Sequence, residues 1–197
     1  QKIFPSERIL GIVLFAFNPL VIIESVVSGH NDIFMMFLGI AAVYLLVTKR
    51  FLWAFIVLFL SIGVKFATIF LLPVFVYVYI ASVFHKKFSW RIVFTVCACF
   101  MIIPVILAAI RTTFQPWYIL FVLPFGAFLG GRYYIIVPSF VLSFFFLLEY
   151  VPYLYTGNWD PPIPSILTGL TVAGVIVTVV FVVLIKAKDL LFTRKTI

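Results

Sequence analysis

The sequence predicts an all-α integral membrane protein, organised as one transmembrane helical domain over residues 1–197. Hydrophobic residues make up 65% of the chain, charged residues only 10%, and the mean hydropathy is +1.30. Soluble domains carry about 25% charged residues, so this composition indicates a lipid environment. The apolar runs are continuous, without the alternation of polar and apolar residues that a lipid-facing β-barrel strand requires.

Eight apolar segments follow one another, and several are shorter than the roughly 20 residues that a full crossing requires. Residues 51–64 would rise only about 21 Å at 1.5 Å per residue. Short helices of this kind end below the membrane surface where they line a protein cavity. We therefore expect about eight spanning or half-spanning helices, in a bundle. The segments are residues 8–27, 33–47, 51–64, 66–83, 91–110, 117–129, 133–148 and 166–185.

Prolines and glycines interrupt these segments. Asn18-Pro19 breaks the first segment, and Pro73, Pro104 and Pro124 are expected to kink their helices. Residues 151–164 contain four prolines and one glycine and are predicted to form the longest polar connection.

The basic residues indicate a topology. They lie at every second boundary between segments, as the positive-inside rule expects of cytoplasmic loops. Of the 14 lysines and arginines, all but Lys65 and Arg111 fall on that side. Isolated cations at outer turns are unfavourable, so each of these two suggests an anionic ligand. The sequence has no basic stripe with interleaved aromatic residues, so it does not indicate nucleic-acid binding. The expected partner is the lipid bilayer.

The first polar motif, Gly29-His30-Asn31-Asp32, lies between two apolar runs on the predicted outer face. Polar groups left unpaired in hydrocarbon cost several kcal/mol each, so the motif marks either the membrane surface or a polar cavity. Asp32 is a candidate general base, and His30 a candidate donor to a phosphate or sugar oxygen. Alternatively, Asn31 or Asp32 caps a helix that begins at Ile33.

Two further charged residues require a partner. Glu24 lies in an apolar stretch, where a glutamate is either protonated or paired with a cation, and Lys65 or Arg111 are the expected partners. Either a structural ion pair or a direct substrate contact fits Glu24. Lys65 either reaches toward outer headgroups or contacts a phosphate group. Two scattered carboxylates, Glu24 and Asp32, are weak evidence for a metal site, and none is predicted.

The second polar motif runs from Arg111 to Tyr118. Arg111 can form two parallel hydrogen bonds to phosphate oxygens, and Gln115 can bond sugar hydroxyls. Trp117 and Tyr118 can stack on a sugar face or contact a polyprenyl chain. The alternative is an interfacial aromatic belt with a helix beginning at Pro116.

Both motifs resemble a known family. Residues 18–24 (Asn-Pro-Leu-Val-Ile-Ile-Glu) with residues 29–32 are similar to a signature of GT-C superfamily membrane glycosyltransferases. The closest likeness is to polyprenol-phosphate-mannose-dependent mannosyltransferases of the mycobacterial lipoarabinomannan type. Residues 111–118 resemble the glutamine-proline-tryptophan-tyrosine segment of that family. Lys65-Phe66-Ala67-Thr68 with Pro73 resembles a lysine-containing helix break that is widespread among GT-C proteins.

The resemblance implies transfer of mannose or another hexose from a polyprenyl-phosphate donor to a glycan or lipid acceptor, on the extracytoplasmic face. No nucleotide sugar or other cofactor is expected. The family's usual acidic base lies in a loop upstream of the asparagine-proline-leucine segment, whereas only seventeen residues precede Asn18 here. We therefore expect the chain to correspond to the C-terminal part of such an enzyme, with its principal base elsewhere. The alternatives are a lipid-linked sugar carrier or flippase, and a non-catalytic membrane partner of a glycosyltransferase.

Overall fold

The computed structural model describes residues 8–111, 114–129 and 131–193, and these form helices without any β-strand among them. The predicted all-α class is therefore confirmed for the described residues. Two 3₁₀ helices and one π-helical turn lie between the α-helices. The elements are α1 (Arg8–Ala16), α2 (Pro19–Ile22), the π turn (Ile23–Val27), α3 (Asn31–Val47), α4 (Phe51–Val64), the first 3₁₀ helix (Phe66–Leu71), α5 (Leu72–Val83), α6 (Trp90–Arg111), the second 3₁₀ helix (Pro116–Phe121), α7 (Leu123–Phe128), α8 (Tyr133–Leu148), α9 (Tyr150–Thr156) and α10 (Ile163–Thr193).

Four helical stretches in the described part are long and apolar enough to cross a membrane, as expected of a multi-pass membrane protein. A fifth is added if the pair Ile9–Ala16 and Pro19–Val27, bent by 53°, forms one span. The predicted number of about eight helices is not confirmed, because α3 and α4 have only 17 and 14 residues and α7 has 6. The four stretches are Phe66–Val83, Trp90–Arg111, Tyr133–Thr156 and Ile163–Lys188.

The bend between α1 and α2 follows from Asn18-Pro19. Pro19 has no N–H to donate and occupies the first helical position, where none is needed. The Asn18 side chain accepts a hydrogen bond from the Leu20 N–H at 2.9 Å, which caps α2. Its amide nitrogen donates to Ser143 Oγ of α8 at 2.8 Å. Asn18 is fully buried, so this predicted break is also a polar link between distant helices.

Helices α3 and α4 form a tight antiparallel pair. The turn between them has Lys49 at a positive φ of 60°, and buried apolar residues of both helices belong to the main hydrophobic core. Near the open end, Ser61 Oγ is 2.7 Å from the Met35 carbonyl oxygen and 2.9 Å from Thr68 Oγ1. Because α3 and α4 are antiparallel, the end of α4 lies beside the start of α3. Lys65, the residue after α4, therefore lies next to the first turn of α3.

Two broken segments have the same local design. After α4, Lys65 is extended, the first 3₁₀ helix follows, and α5 has Pro73 at its second position. After α6, Gln115 is extended, the second 3₁₀ helix follows, and α7 has Pro124 at its second position. A proline at the start of a helix leaves no interior hydrogen bond missing. The predicted kinks at these prolines are therefore helix starts, whereas Pro104 does lie within α6.

The predicted polar connection at residues 151–164 is partly wrong, because α9 occupies Tyr150–Thr156. Pro152 lies in the first turn of α9, where a missing N–H costs no intrahelical bond. Gly157, with φ of 74°, ends the helix in the left-handed conformation that glycine adopts without a side-chain clash. Helix α8 packs along α10, the longest helix of the chain.

Candidate active site

The segment 24–32 places three ionisable side chains beside one another. The π turn widens the helix after Glu24, and Gly29 takes a positive φ of 63°. The His30 N–H then donates to the Glu24 carbonyl oxygen at 3.1 Å, and α3 begins at Asn31. Glu24 and Asp32 are fully buried on either side of His30, whose side chain is 28% exposed. Glycine permits this reversal because a side chain at that φ would be strained.

Asp32 forms an ion pair with Lys65. The ammonium Nζ lies 2.8 Å from Oδ1 and 2.9 Å from Oδ2, so both carboxylate oxygens are engaged. The Asp32 carboxylate is 0% exposed, while the Lys65 side chain is 37% exposed. A charge-assisted contact of this length compensates the buried carboxylate. The position of Asp32 is therefore that of a fixed counter-ion to Lys65 and not of a helix cap.

Aromatic rings of the second 3₁₀ helix lie around this ion pair. Lys65 Nζ is 5.9 Å from the ring centroid of Tyr118 and 5.8 Å from that of Phe121. At these distances the ring faces attract a cation. The two broken segments thus meet at Lys65, and an ammonium has three N–H donors, of which Asp32 needs two. The contacts to Asp32 therefore do not use the third donor.

Glu24 is held by partners other than the predicted ones. The Tyr150 hydroxyl donates to Glu24 Oε1 at 2.6 Å, and His30 Nε2 lies 3.5 Å from Glu24 Oε2. The expected pairing of Glu24 with Lys65 or Arg111 is wrong, because Lys65 is bound to Asp32 and Arg111 lies exposed at the end of α6. Within the described residues, Arg111 has no ion pair with these carboxyl groups.

The imidazole of His30 stacks on the indole of Trp117, with ring centroids 3.9 Å apart and an interplanar angle of 24°. Trp117 in turn meets Tyr118 edge to face. The structure therefore brings together most of the predicted site residues. We call this set the polar cluster; it comprises Glu24, His30, Asp32, Lys65, Trp117, Tyr118 and Tyr150.

Three predicted residues lie at the margin of the polar cluster. Asn31 is exposed on the first turn of α3, and Gln115 is half-buried immediately before the second 3₁₀ helix. Arg111 is four residues from Gln115, and residues 112 and 113 between them lie outside the described part. A contact of these three side chains with a ligand stays a prediction.

Sequence reasoning missed Tyr150. The residue is 126 positions from Glu24, so no local spacing links the two. The one signal in the sequence is its position beside Glu149, at the end of an apolar segment and on the predicted outer face. No group of three or more histidine, cysteine, aspartate or glutamate residues that could hold a metal ion is found in the part of the chain searched.

An apolar cavity of about 900 Å³ lies close to the polar cluster. Helices α6, α7, α8 and α10 supply its walls, with Arg91 and Arg132 among the lining residues. Phe114 and Phe146 also line it, with ring centroids 4.7 Å apart, and the Phe114 ring meets Tyr118 of the polar cluster edge to face. The cavity therefore adjoins the polar cluster through one aromatic contact.

The polar cluster combines groups suited to group transfer from a phosphate. A partly exposed ammonium can bind the anion, and a partly exposed imidazole can accept or donate a proton. A stacked indole and a phenol provide flat surfaces for a sugar ring, and the neighbouring cavity is suited to an apolar chain.

Comparison with known proteins gives one result. The family described as "Alpha-(1->6)-mannopyranosyltransferase, N-terminal domain" matches residues 3–81, which is less than half of the 197 residues. The match supports a mannosyltransferase family and glycosyl transfer in general. The matched domain is described as N-terminal, whereas the motifs led us to expect the C-terminal part of such an enzyme. No curated protein and no solved structure matches the chain significantly.

Proposed function

We propose that the protein transfers mannose or another hexose from a polyprenyl-phosphate donor to a hydroxyl group of a glycan or lipid acceptor, on the extracytoplasmic side of the membrane. The observation that carries the proposal is the Lys65–Asp32 ion pair beside His30 and Trp117. His30, Asp32 and Lys65 lie within residues 3–81, which the mannosyltransferase family matches. Trp117 lies outside that region and stacks on His30. The cluster offers a cation, a proton carrier and an aromatic surface together.

The proposed donor binds with its phosphate at Lys65 and Arg111. The third N–H of the Lys65 ammonium and the Arg111 guanidinium bind phosphate oxygens, and these charges stabilise the leaving group as its bond to the sugar breaks. Trp117 and Tyr118 contact the sugar, while Gln115 and Asn31 supply hydrogen bonds to hydroxyl groups. The polyprenyl tail extends into the apolar cavity between α6 and α8.

In this proposal His30 accepts the proton of the acceptor hydroxyl, and Asp32 holds Lys65 in place. The sequence alone favoured Asp32 as the base. Its full burial and its two short contacts to Lys65 favour a positioning role instead, because a general base needs a free oxygen within reach of the substrate. A single displacement then inverts the configuration at the anomeric carbon.

The test uses the purified protein in lipid nanodiscs with a radiolabelled polyprenyl-phosphate mannose and a glycan acceptor. We expect K65A and R111A each to raise the KM for the donor about tenfold or more, which corresponds to roughly 1.4 kcal/mol of lost binding. The control is K86A, which removes an exposed lysine from the turn after α5. Donors with long and short tails are compared, and the long tail is expected to bind more tightly.

Two outcomes would count against this assignment. An unchanged donor KM in both K65A and R111A would remove the phosphate contact from the proposal. Donor movement across the bilayer of sealed liposomes, without sugar transfer by the wild-type protein, would favour a carrier. The K65R variant keeps the positive charge. It therefore distinguishes a loss of donor binding from a folding defect.

A further inference from the structure

Tyr150 contacts Glu24, and Glu24 contacts His30. The proposed transfer assigns a role to His30 but none to Tyr150 or Glu24. We propose that Tyr150 and Glu24 are positioning residues that hold the His30 imidazole in one tautomer, with the proton on Nε2 and the lone pair on Nδ1. The kinetic part of this inference rests on the proposed function. The tautomer itself is a property of the protein and is measured without substrate.

Glu24 has the geometry of a fixed hydrogen-bond acceptor. Its side chain is fully buried, and Oε1 is occupied by the Tyr150 hydroxyl at 2.6 Å. Oε2 is also buried and has no hydrogen bond of good geometry among the described residues; the Ser28 side chain lies near the same carboxyl group, and His30 Nε2 faces Oε2 at 3.5 Å. A buried oxygen without a donor is costly, so a proton on Nε2 is the arrangement that satisfies it. Hydrogen bonds at catalytic sites are often long before a substrate binds.

The rest of the structure fixes the orientation of the ring. The His30 backbone N–H is bound to the Glu24 carbonyl oxygen, and the Trp117 indole covers one face of the imidazole at 3.9 Å. The Nε2 edge is directed at the Glu24 carboxyl group, so the Nδ1 atom lies on the other side of the ring. A carboxylate that holds one ring nitrogen decides which nitrogen carries the lone pair. Tyr150 in turn prevents the Glu24 side chain from rotating away.

The proton and the electron pairs balance in the proposed step. The acceptor oxygen forms a bond to the anomeric carbon while the bond from that carbon to the phosphate oxygen breaks. The electron pair leaves with the polyprenyl phosphate, and the hydroxyl proton passes to His30 Nδ1. The imidazolium formed in this way is stabilised by Glu24 across Nε2, and it later loses its proton to the departed phosphate or to water.

The tautomer is tested by ¹⁵N NMR of histidine-labelled protein in detergent micelles, at a pH where both imidazoles are neutral. The chain has two histidines, and His85 is exposed at the other end of α5, so it serves as an internal reference. H85Q assigns the signals. We expect His30 to be a single Nε2–H tautomer, and we expect His85 to show the ordinary mixture.

Variants connect this tautomer to the two positioning residues. In E24A the His30 ratio is expected to move to that of His85, and in Y150F it is expected to move part of the way. The control is Y155F, which changes a tyrosine of the same helix that is 91% exposed. A mixed tautomer in the wild-type protein, or an unchanged His30 signal in E24A, would overturn the inference.

The kinetic measurement separates positioning from binding. Y150F is expected to lower kcat about tenfold or more with the donor KM within about twofold, because the lost contact matters mainly in the transition state. Y155F is expected to leave both constants unchanged. If the wild-type protein transfers no sugar, the proposed function is wrong and the NMR result alone decides the tautomer. If transfer occurs and Y150F retains its kcat, the positioning role is wrong.

Discussion

Asp32 and Lys65 show how one residue's role depends on its partner. Each charge alone is unfavourable near an apolar core, and together they form two contacts below 3 Å. Removing one partner from such a pair strands the other, whereas removing both can be nearly neutral. Comparison of single and double substitutions at the pair therefore separates its effect on stability from its effect on the proposed reaction.

We predict that K65M lowers the free energy of unfolding by about 3 kcal/mol, because the fully buried Asp32 carboxylate loses its cation. The double variant D32N/K65M is expected to recover most of this loss. Its sugar transfer is expected to remain low, because the ammonium that binds the phosphate is absent. Unfolding in mixed SDS micelles and the transfer assay measure the two effects. A double variant as unstable as K65M, or one with wild-type transfer, would contradict this prediction.

The candidate site could be predicted in part from the sequence. His30, Asp32, Lys65 and Trp117 were singled out because each is a polar or aromatic residue at the edge of an apolar run. Which of them touch depends on helix packing, and the sequence does not encode packing as a local pattern. Glu24 was paired with a cation by charge alone, whereas the fold places a phenol and an imidazole beside it.

At the scale of helices, the predicted segments and the observed elements agree closely where a charge or a proline marks an end. The second segment, expected from residue 33, is α3 from Asn31 to Val47, and the third segment coincides with α4. The errors lie where an end has no such mark. The predicted connection over residues 151–164 rests on four prolines and one glycine, but the first of these prolines, Pro152, lies in the first turn of α9.

The packing of α8 against α10 depends on one small residue. Gly174 is buried, and a Cβ atom at that position would lie 2.8 Å from Cβ and 3.0 Å from Cγ of Phe145. Gly169 on the same helix is exposed, and a Cβ atom there would meet nothing within 4 Å. Small residues allow close approach of helices in membranes, so the two glycines are expected to differ in their tolerance of alanine.

We predict that G174A lowers the free energy of unfolding by about 1–3 kcal/mol, because Phe145 and the α10 backbone must separate. G169A is expected to be neutral or stabilising by up to about 1 kcal/mol, since alanine favours the helix and meets no neighbour. Unfolding of both variants in the same mixed micelles provides the comparison. Equal gains in the two variants would show that the effect comes from helix propensity and not from packing.

For the whole molecule, the antiparallel arrangement of α3 and α4 determines at which end of this helix pair the polar cluster lies. The pair leaves that level at Asp32 and returns to it at Lys65, and then the first 3₁₀ helix and α5 lead away from it. At 1.5 Å per residue, α3 and α4 rise about 26 and 21 Å, less than a hydrocarbon core of about 30 Å. The turn at Lys49 and Arg50 nevertheless carries the basic residues typical of a cytoplasmic loop.

This geometry predicts opposite sides for the polar cluster and for the basic turns. In a variant with both native cysteines replaced by alanine, S28C is expected to react with an impermeant maleimide from outside intact cells. K49C and K87C are expected to react only after the membrane is opened. These three positions are exposed in the structure, so access and not burial limits labelling. Labelling of K49C from outside would make α3 and α4 a re-entrant pair. Labelling of S28C and K87C from the same side would overturn both the topology and the extracytoplasmic location of the proposed reaction.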